Sequence, residues 1–332
     1  MPTEPRTHCP GGRALRALAC ALFLALAPRA RAEGGIYEAA VPLTGTTEAD
    51  RNRAFGAALE SVAVIASGRA EAASNPVVAD AAANPARYVQ QYSTTPDHLL
   101  KVGFDADAVD GLLQRAGLPF WPQERPVTEV FLVVPAVAGG QRALLSSERS
   151  VERFEVQRSA TARGLPIAWP DRAVPAAQVR AMLAGAPPGA EAGENSCALA
   201  GVEEGGSVSW RFTCDGVTAR GTGTAADGPN LATDALVARY APSSTRGTTT
   251  VEIRVGGIEG IRAYAALTDY LNSLSLVRAV EVRSLDQGVA SFAVTLRGDA
   301  ELLRRVVSLG QHLKPVASAE GGGQPADFEY VP

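Results

Sequence analysis

The chain has 332 residues, 31 of them Lys or Arg and 35 Asp or Glu, for a net charge of −4. Residues 1–32 hold five arginines and one glutamate, so the remainder is four charges more negative, at −8. An acidic chain without a basic cluster, whose two lysines are Lys101 and Lys314, excludes nucleic acid and anionic lipid surfaces as electrostatic partners.

The N-terminus reads as a cleavable export signal. Arg6, Arg13 and Arg16 form a positive region, Ala17 to Ala27 an apolar run, and Pro28 breaks it. Ala30 and Ala32 supply the small residues a signal peptidase accepts, which places the cut between Ala32 and Glu33. The apolar run is too short to span a bilayer, which needs about 20 residues, and no later stretch approaches that length. Cys20 lies inside the run, so a lipoprotein site is not expected. The expected location is the periplasm.

The remainder is too long for one ordinary core. The fold class expected is α+β, mixed α/β, in three small domains: residues 33–124, 125–245 and 246–316, with 317–332 a loose tail rich in Gly and acids. In the first, Ile36 to Leu43 reads as a strand, and Thr47 with Asp50 starts a helix whose buried stripe is Phe55, Leu59, Val62 and Ala66. Gly68 ends that helix, and a second is expected over Pro76 to Gln90. His98 to Phe104 is a strand, and Asp105 caps a short helix burying Val109, Leu112 and Leu113.

In the central segment, Val130 to Val134 is an apolar run of the kind buried on both sheet faces, and Leu165 to Trp169 looks like a second such strand. Helices are expected over Ser150 to Arg163, Ala176 to Ala184 and Asn230 to Tyr240, with a solvated loop over Pro187 to Asn195. In the last segment, strands through Val251–Val255, Val280–Val282 and Phe292–Leu296 alternate with a helix bearing Ile261, Tyr264, Leu267, Leu271 and Leu274 and another bearing Leu302, Leu303 and Val306. That βαββα order, with a final strand near Val316, is ferredoxin-like.

Beyond the signal only Cys197 and Cys214 remain. A two-residue loop at Gly205-Gly206 sets Glu204 opposite Ser207 and, counting outward, Cys197 opposite Cys214 as a non-hydrogen-bonded pair. Such pairs bring Cα atoms to about 4.5 Å, within disulfide range. In an exported chain this predicts a structural disulfide worth roughly 3 kcal/mol. On one face of this hairpin Leu199 meets Phe212, and Gly201 lies under Trp210.

No motif predicts catalysis, a cofactor or a metal. His98 and His312 stand near no nucleophile motif, and the glycines at 221, 223, 256 and 257 lack phosphate-loop context. If a site forms between domains, the candidates are Asp97, His98, Trp121 and Arg125.

Several runs together resemble an uncharacterised family of secreted bacterial proteins, the domain of unknown function 2066 (DUF2066). They are Ala66-Ser67-Gly68, Tyr88 to Tyr92, Lys101 to Asp105, Gly117 to Trp121 leading into Arg125-Pro126, and Arg163 to Pro166. The resemblance implies export to a Gram-negative envelope and no assigned activity. The central segment departs from that family's pattern and is similar in order to small α/β domains of envelope assembly proteins, an analogy of fold alone. The expectation is a non-enzymatic binding or assembly component of the envelope, with envelope proteins as partners. The alternative is a small-ligand binder or enzyme with a site between domains.

Overall fold

Residues 35–136, 139–188, 197–241, 247–316 and 327–331 are described by the computed structural model. The expected leader, residues 189–195 of the expected loop and residues 317–326 of the expected tail lie outside them. The described residues form an α+β fold of eight α-helices and three sheets.

The first sheet has the antiparallel order β1-β3-β2, from β1 (Glu38–Pro42), β2 (Val89–Thr94) and β3 (Leu99–Phe104). It packs against α1 (Glu48–Ser67), α2 (Pro76–Ala83) and α3 (Ala106–Arg115). At the start of α1 the Thr47 hydroxyl accepts from Asp50 N at 3.1 Å, and Thr47 N donates to Asp50 Oδ2 at 3.2 Å. The capping box is therefore complete with Asp in place of the usual Glu. Gly68 closes the helix in the left-handed region (φ 64°). A Cβ there would lie 2.3 Å from Val237 Cγ2 and 2.6 Å from Trp121 Cε3, so shape and conformation both require glycine.

The second helix is shorter than expected. Pro85 has no N–H to donate and disfavours helical geometry at Asn84, so α2 stops at Ala83. A 3-10 turn at Pro85–Arg87 then leads into β2, which the helical reading of residues 76–90 had hidden.

The second sheet runs β5-β4-β7-β8-β9: β4 (Thr128–Pro135), β5 (Gln141–Ala143), β7 (Cys197–Glu204), β8 (Ser207–Cys214) and β9 (Val217–Gly223). β6 (Ile167–Ala168) joins β4 in parallel, as does β7. Pro166 and Pro170 bracket β6 and hold it to two residues where five were expected. α4 (Val151–Arg163) and α6 (Asp227–Tyr240) cover one face over Leu132, Leu199, Trp210 and Phe212. α5 (Ala176–Ala184) covers the other over Phe131, Val133, Ala200 and Val202, so β4 is buried on both faces.

The third sheet runs β11-β12-β10-β14-β13: β10 (Thr248–Gly256), β11 (Val277–Asp286), β12 (Val289–Arg297), β13 (Leu313–Pro315) and β14 (Phe328–Tyr330). α7 (Gly260–Ser273) and α8 (Ala300–Leu309) supply its helices. Without β14 the order β11-β12-β10-β13 is that of a split βαβ unit. β14 inserts parallel to β10 and antiparallel to β13. This corrects the expectation of a loose tail over 317–332, because Phe328 and Tyr330 alternate into the core with Phe328 1% exposed. Ile261 is also corrected: it sits in the first turn of α7 and is 76% exposed, while Leu267 and Leu271 face inward.

One stretch ties the three sheets together. Phe120 belongs to the first core and Trp121 to the second, with Trp121 N donating to Ala66 O at 2.8 Å. Gln123 N donates to Ser275 Oγ at 2.8 Å, and Ser275 N and Oγ donate to the Glu124 carboxylate at 2.9 and 2.6 Å. Ile36–Pro332 accordingly forms one compact unit.

Candidate functional site

The four residues named from sequence fall in two places. Asp97 and His98 stand exposed at the β2–β3 turn, His98 in the left-handed region (φ 58°) with its N–H donated to Thr95 O at 3.1 Å. Trp121 and Arg125 lie elsewhere, together in the linker after α3. The Arg125 guanidinium stacks 3.8 Å from the Trp121 ring centroid and donates to the carbonyls of Gly164 (2.6 Å), Ile65 (2.8 Å), Pro122 (2.9 Å) and Trp121 (3.0 Å). Burial draws its pKa down to about 9, against the opposing charge of Glu124. Its donors hold backbone from α1, the linker and the end of α4.

A cleft of about 450 Å³ does form, between α3 and the third sheet. At its base Asp110, 7% exposed, accepts from Tyr37 Oη at 2.9 Å through Oδ1 and from both Arg278 and Arg297 through Oδ2. Arg278 also donates to Asp107 at 3.1 Å, and Arg297 lies 4.4 Å from the Phe120 ring centroid. Burial raises the Asp110 pKa to about 6, outweighing the Tyr37 hydrogen bond and the Arg278 charge. Sequence reasoning passed over this node. The available signal was a carboxylate between the inward-facing Val109 and Leu112 of α3, which buries an acid only where partners await it.

The hairpin of β7 and β8 carries the expected disulfide, and its register runs from Glu204–Ser207 out to Ala198–Thr213 as the loop geometry predicts. Gly205 and Gly206 both have positive φ (60° and 82°). The Trp210 indole is sandwiched: a Cβ on Gly201 would lie 2.4 Å from it, and one on Gly228 2.6 Å. Its Nε1 donates to Thr224 O at 3.0 Å. This fixes β8, and β9 through it.

β9 is the edge of the second sheet and pairs with β8 in unbroken register from Cys214–Val217 to Val208–Gly223. The connecting turn is Asp215-Gly216, with both φ positive. Counting from that two-residue loop, Val217, Ala219, Gly221 and Gly223 turn their main-chain groups to β8. Thr218, Arg220 and Thr222 turn theirs outward, three N–H and three C=O along a straight edge. The other edges among the described residues are guarded. β2 carries a register shift at Val89/Gln91 and β11 two, at Val277/Ala279 and Val282/Ser284. β5 and β13 have three residues each, and β1 ends in Pro42.

Residues 30–122 match the family model of a domain of unknown function, DUF8605. The matched stretch covers the first sheet, its helices and the linker as far as Pro122. It overturns the resemblance to DUF2066, which has no match in the chain. The residues that carried the resemblance are a helix cap at Asp105, a bulged edge strand at Val89 and a turn at Gly117, features that fold geometry imposes on unrelated sequences. No curated protein and no solved structure matches the chain. No helix among the described residues is long and apolar enough to cross a membrane.

Proposed function

We propose that this chain is an exported, non-enzymatic binding or assembly component of the bacterial cell envelope, cleaved after Ala32, that takes up an extended partner segment along β9. One observation carries the reading: β9 is a seven-residue edge whose outward main-chain groups no bulge or proline interrupts, while among the described residues the other edges carry bulges, prolines or minimal length. Strand addition draws affinity from such groups. The disulfide and the Trp210 sandwich support it by holding the edge rigid before a partner arrives, and a disulfide suits an oxidising compartment. A photocrosslinking residue at Thr218 is expected to trap one or two envelope proteins in cells, and one at Asp97 is not. Equal adducts from both positions, or none from Thr218, would remove the support.

The cleft at Asp110 favours a second reading, a small-ligand binder or an enzyme with its site between layers. Under it, compounds from a metabolite set raise the melting temperature of the wild type but not of Gln114→Trp, which fills the cleft from its rim.

A further inference from the structure

The face that β9 presents beside its free edge has an unusual charge arrangement. Val208, Trp210 and Phe212 fill the core under α4 and α6, so Ser209, Arg211 and Thr213 of β8 face the α5 side. Their neighbours on β9 are Thr222, Arg220 and Thr218, and Arg211 stands directly opposite Arg220. Like charges so placed destabilise a sheet unless an anion lies between them. Among the described residues neither arginine has a hydrogen bond or an ion pair, and Arg211 Nη1 is buried without a partner. Among the described residues this pair lacks a carboxylate, in a chain of net charge −4. A shallow hollow of about 370 Å³ adjoins it, walled by Leu183 and floored by Ser209 and Thr222.

Resting on the β9 reading above, the geometry points to an acidic partner strand: an extended peptide that pairs with β9, sets a carboxylate side chain against Arg220 and Arg211, and places the side chain two residues away in the hollow beside Leu183. Adjacent strands lie about 4.8 Å apart. The partner's carboxylate-bearing residue therefore sits about 5 Å from Arg220 and about 10 Å from Arg211, within the joint reach of Glu and Arg side chains. A second copy of this chain does not meet the requirement. Full-length antiparallel pairing of β9 with itself sets Arg220 against Arg220, which adds a like-charge contact instead of removing one.

The test uses the mature chain in low-salt buffer and fluorescein-labelled heptapeptides of sequence Thr-Val-Thr-X-Thr-Val-Thr, where X is Glu, Gln or Lys, read by anisotropy. The Glu peptide is expected to bind about tenfold more tightly than the Gln peptide, with Lys weakest. Arg220→Glu, an exposed substitution that leaves the β8 ladder intact, is expected to reverse the order. Equal affinity for the three peptides overturns the acidic preference while leaving strand addition standing. Failure of every peptide to bind also overturns the inference, and crosslinking from Thr218 then judges the β9 reading separately.

Discussion

Asp110 links the first layer to the third, and its protonation has a defined sign. Its pKa in the folded chain is raised to about 6, against about 3.9 when unfolded. Between these values the folded state holds a proton that the unfolded state has released. The resulting stabilisation is full below about pH 4, declines as pH rises through 6, and is gone by about pH 7. Two units at 1.36 kcal/mol each give an upper magnitude of about 3 kcal/mol. Because other carboxylates titrate in the same range, the measurement is a difference: urea unfolding of the wild type and of Asp110→Asn at half-unit steps from pH 4 to 7.5. The wild type is expected to lose about 2–3 kcal/mol relative to the variant across that interval. A constant difference, or one that grows in favour of the wild type as pH rises, would refute the reasoning. The second outcome would mean that Arg278 and Arg297 outweigh burial.

Changes at four further places probe the frame. Gly68→Ala combines a left-handed backbone with overlap onto Val237 and Trp121, and is expected to cost about 3 kcal/mol in urea unfolding. Replacing Cys197 and Cys214 together by Ser, or reducing them, opens a link across a sequence separation of 17 and should lower stability by about 3 kcal/mol with little change in far-UV circular dichroism. Arg125→Met strands four partly buried carbonyls and is expected to cost about 3 kcal/mol; Arg125→Lys recovers less than half of that, having three donors and no planar fork. His98→Ala at the exposed turn should stay within about 0.5 kcal/mol of the wild type in the same assay.

Much of the fold was legible because local chemistry and tertiary need agreed. The Thr47 box, the Asp105 cap, the Cys197–Cys214 register and the alternation in β10 and β12 each follow from a pattern within a few residues of itself. Misreadings arose where one signal masked another. Pro76 opens a real helix, and its alanine-rich continuation hid the break at Pro85 and the strand beyond. Glycines and acids around residues 318–326 obscured the two-residue alternation of Phe328 and Tyr330. The candidate surfaces were less legible for a different reason. Asp110 meets Arg278 and Arg297 across separations of 168 and 187 residues, which no local pattern encodes. Arg211 and Arg220 become neighbours only once the register of β8 and β9 is known. Trp121 and Arg125 were noticed as chemistry, yet the Arg125 guanidinium serves backbone carbonyls and stacks on the Trp121 ring.

The most direct test of the central claim is to remove one outward main-chain donor from β9 without touching its ladder to β8. Thr222→Pro does this, since the lost N–H faces away from β8 and proline is tolerated at such edge positions. Crosslinking from Thr218 is then compared in cells between this variant and the wild type. The account predicts a folded, disulfide-bonded variant whose partner adduct falls at least about tenfold. An unchanged adduct in a correctly folded variant would contradict strand addition at β9.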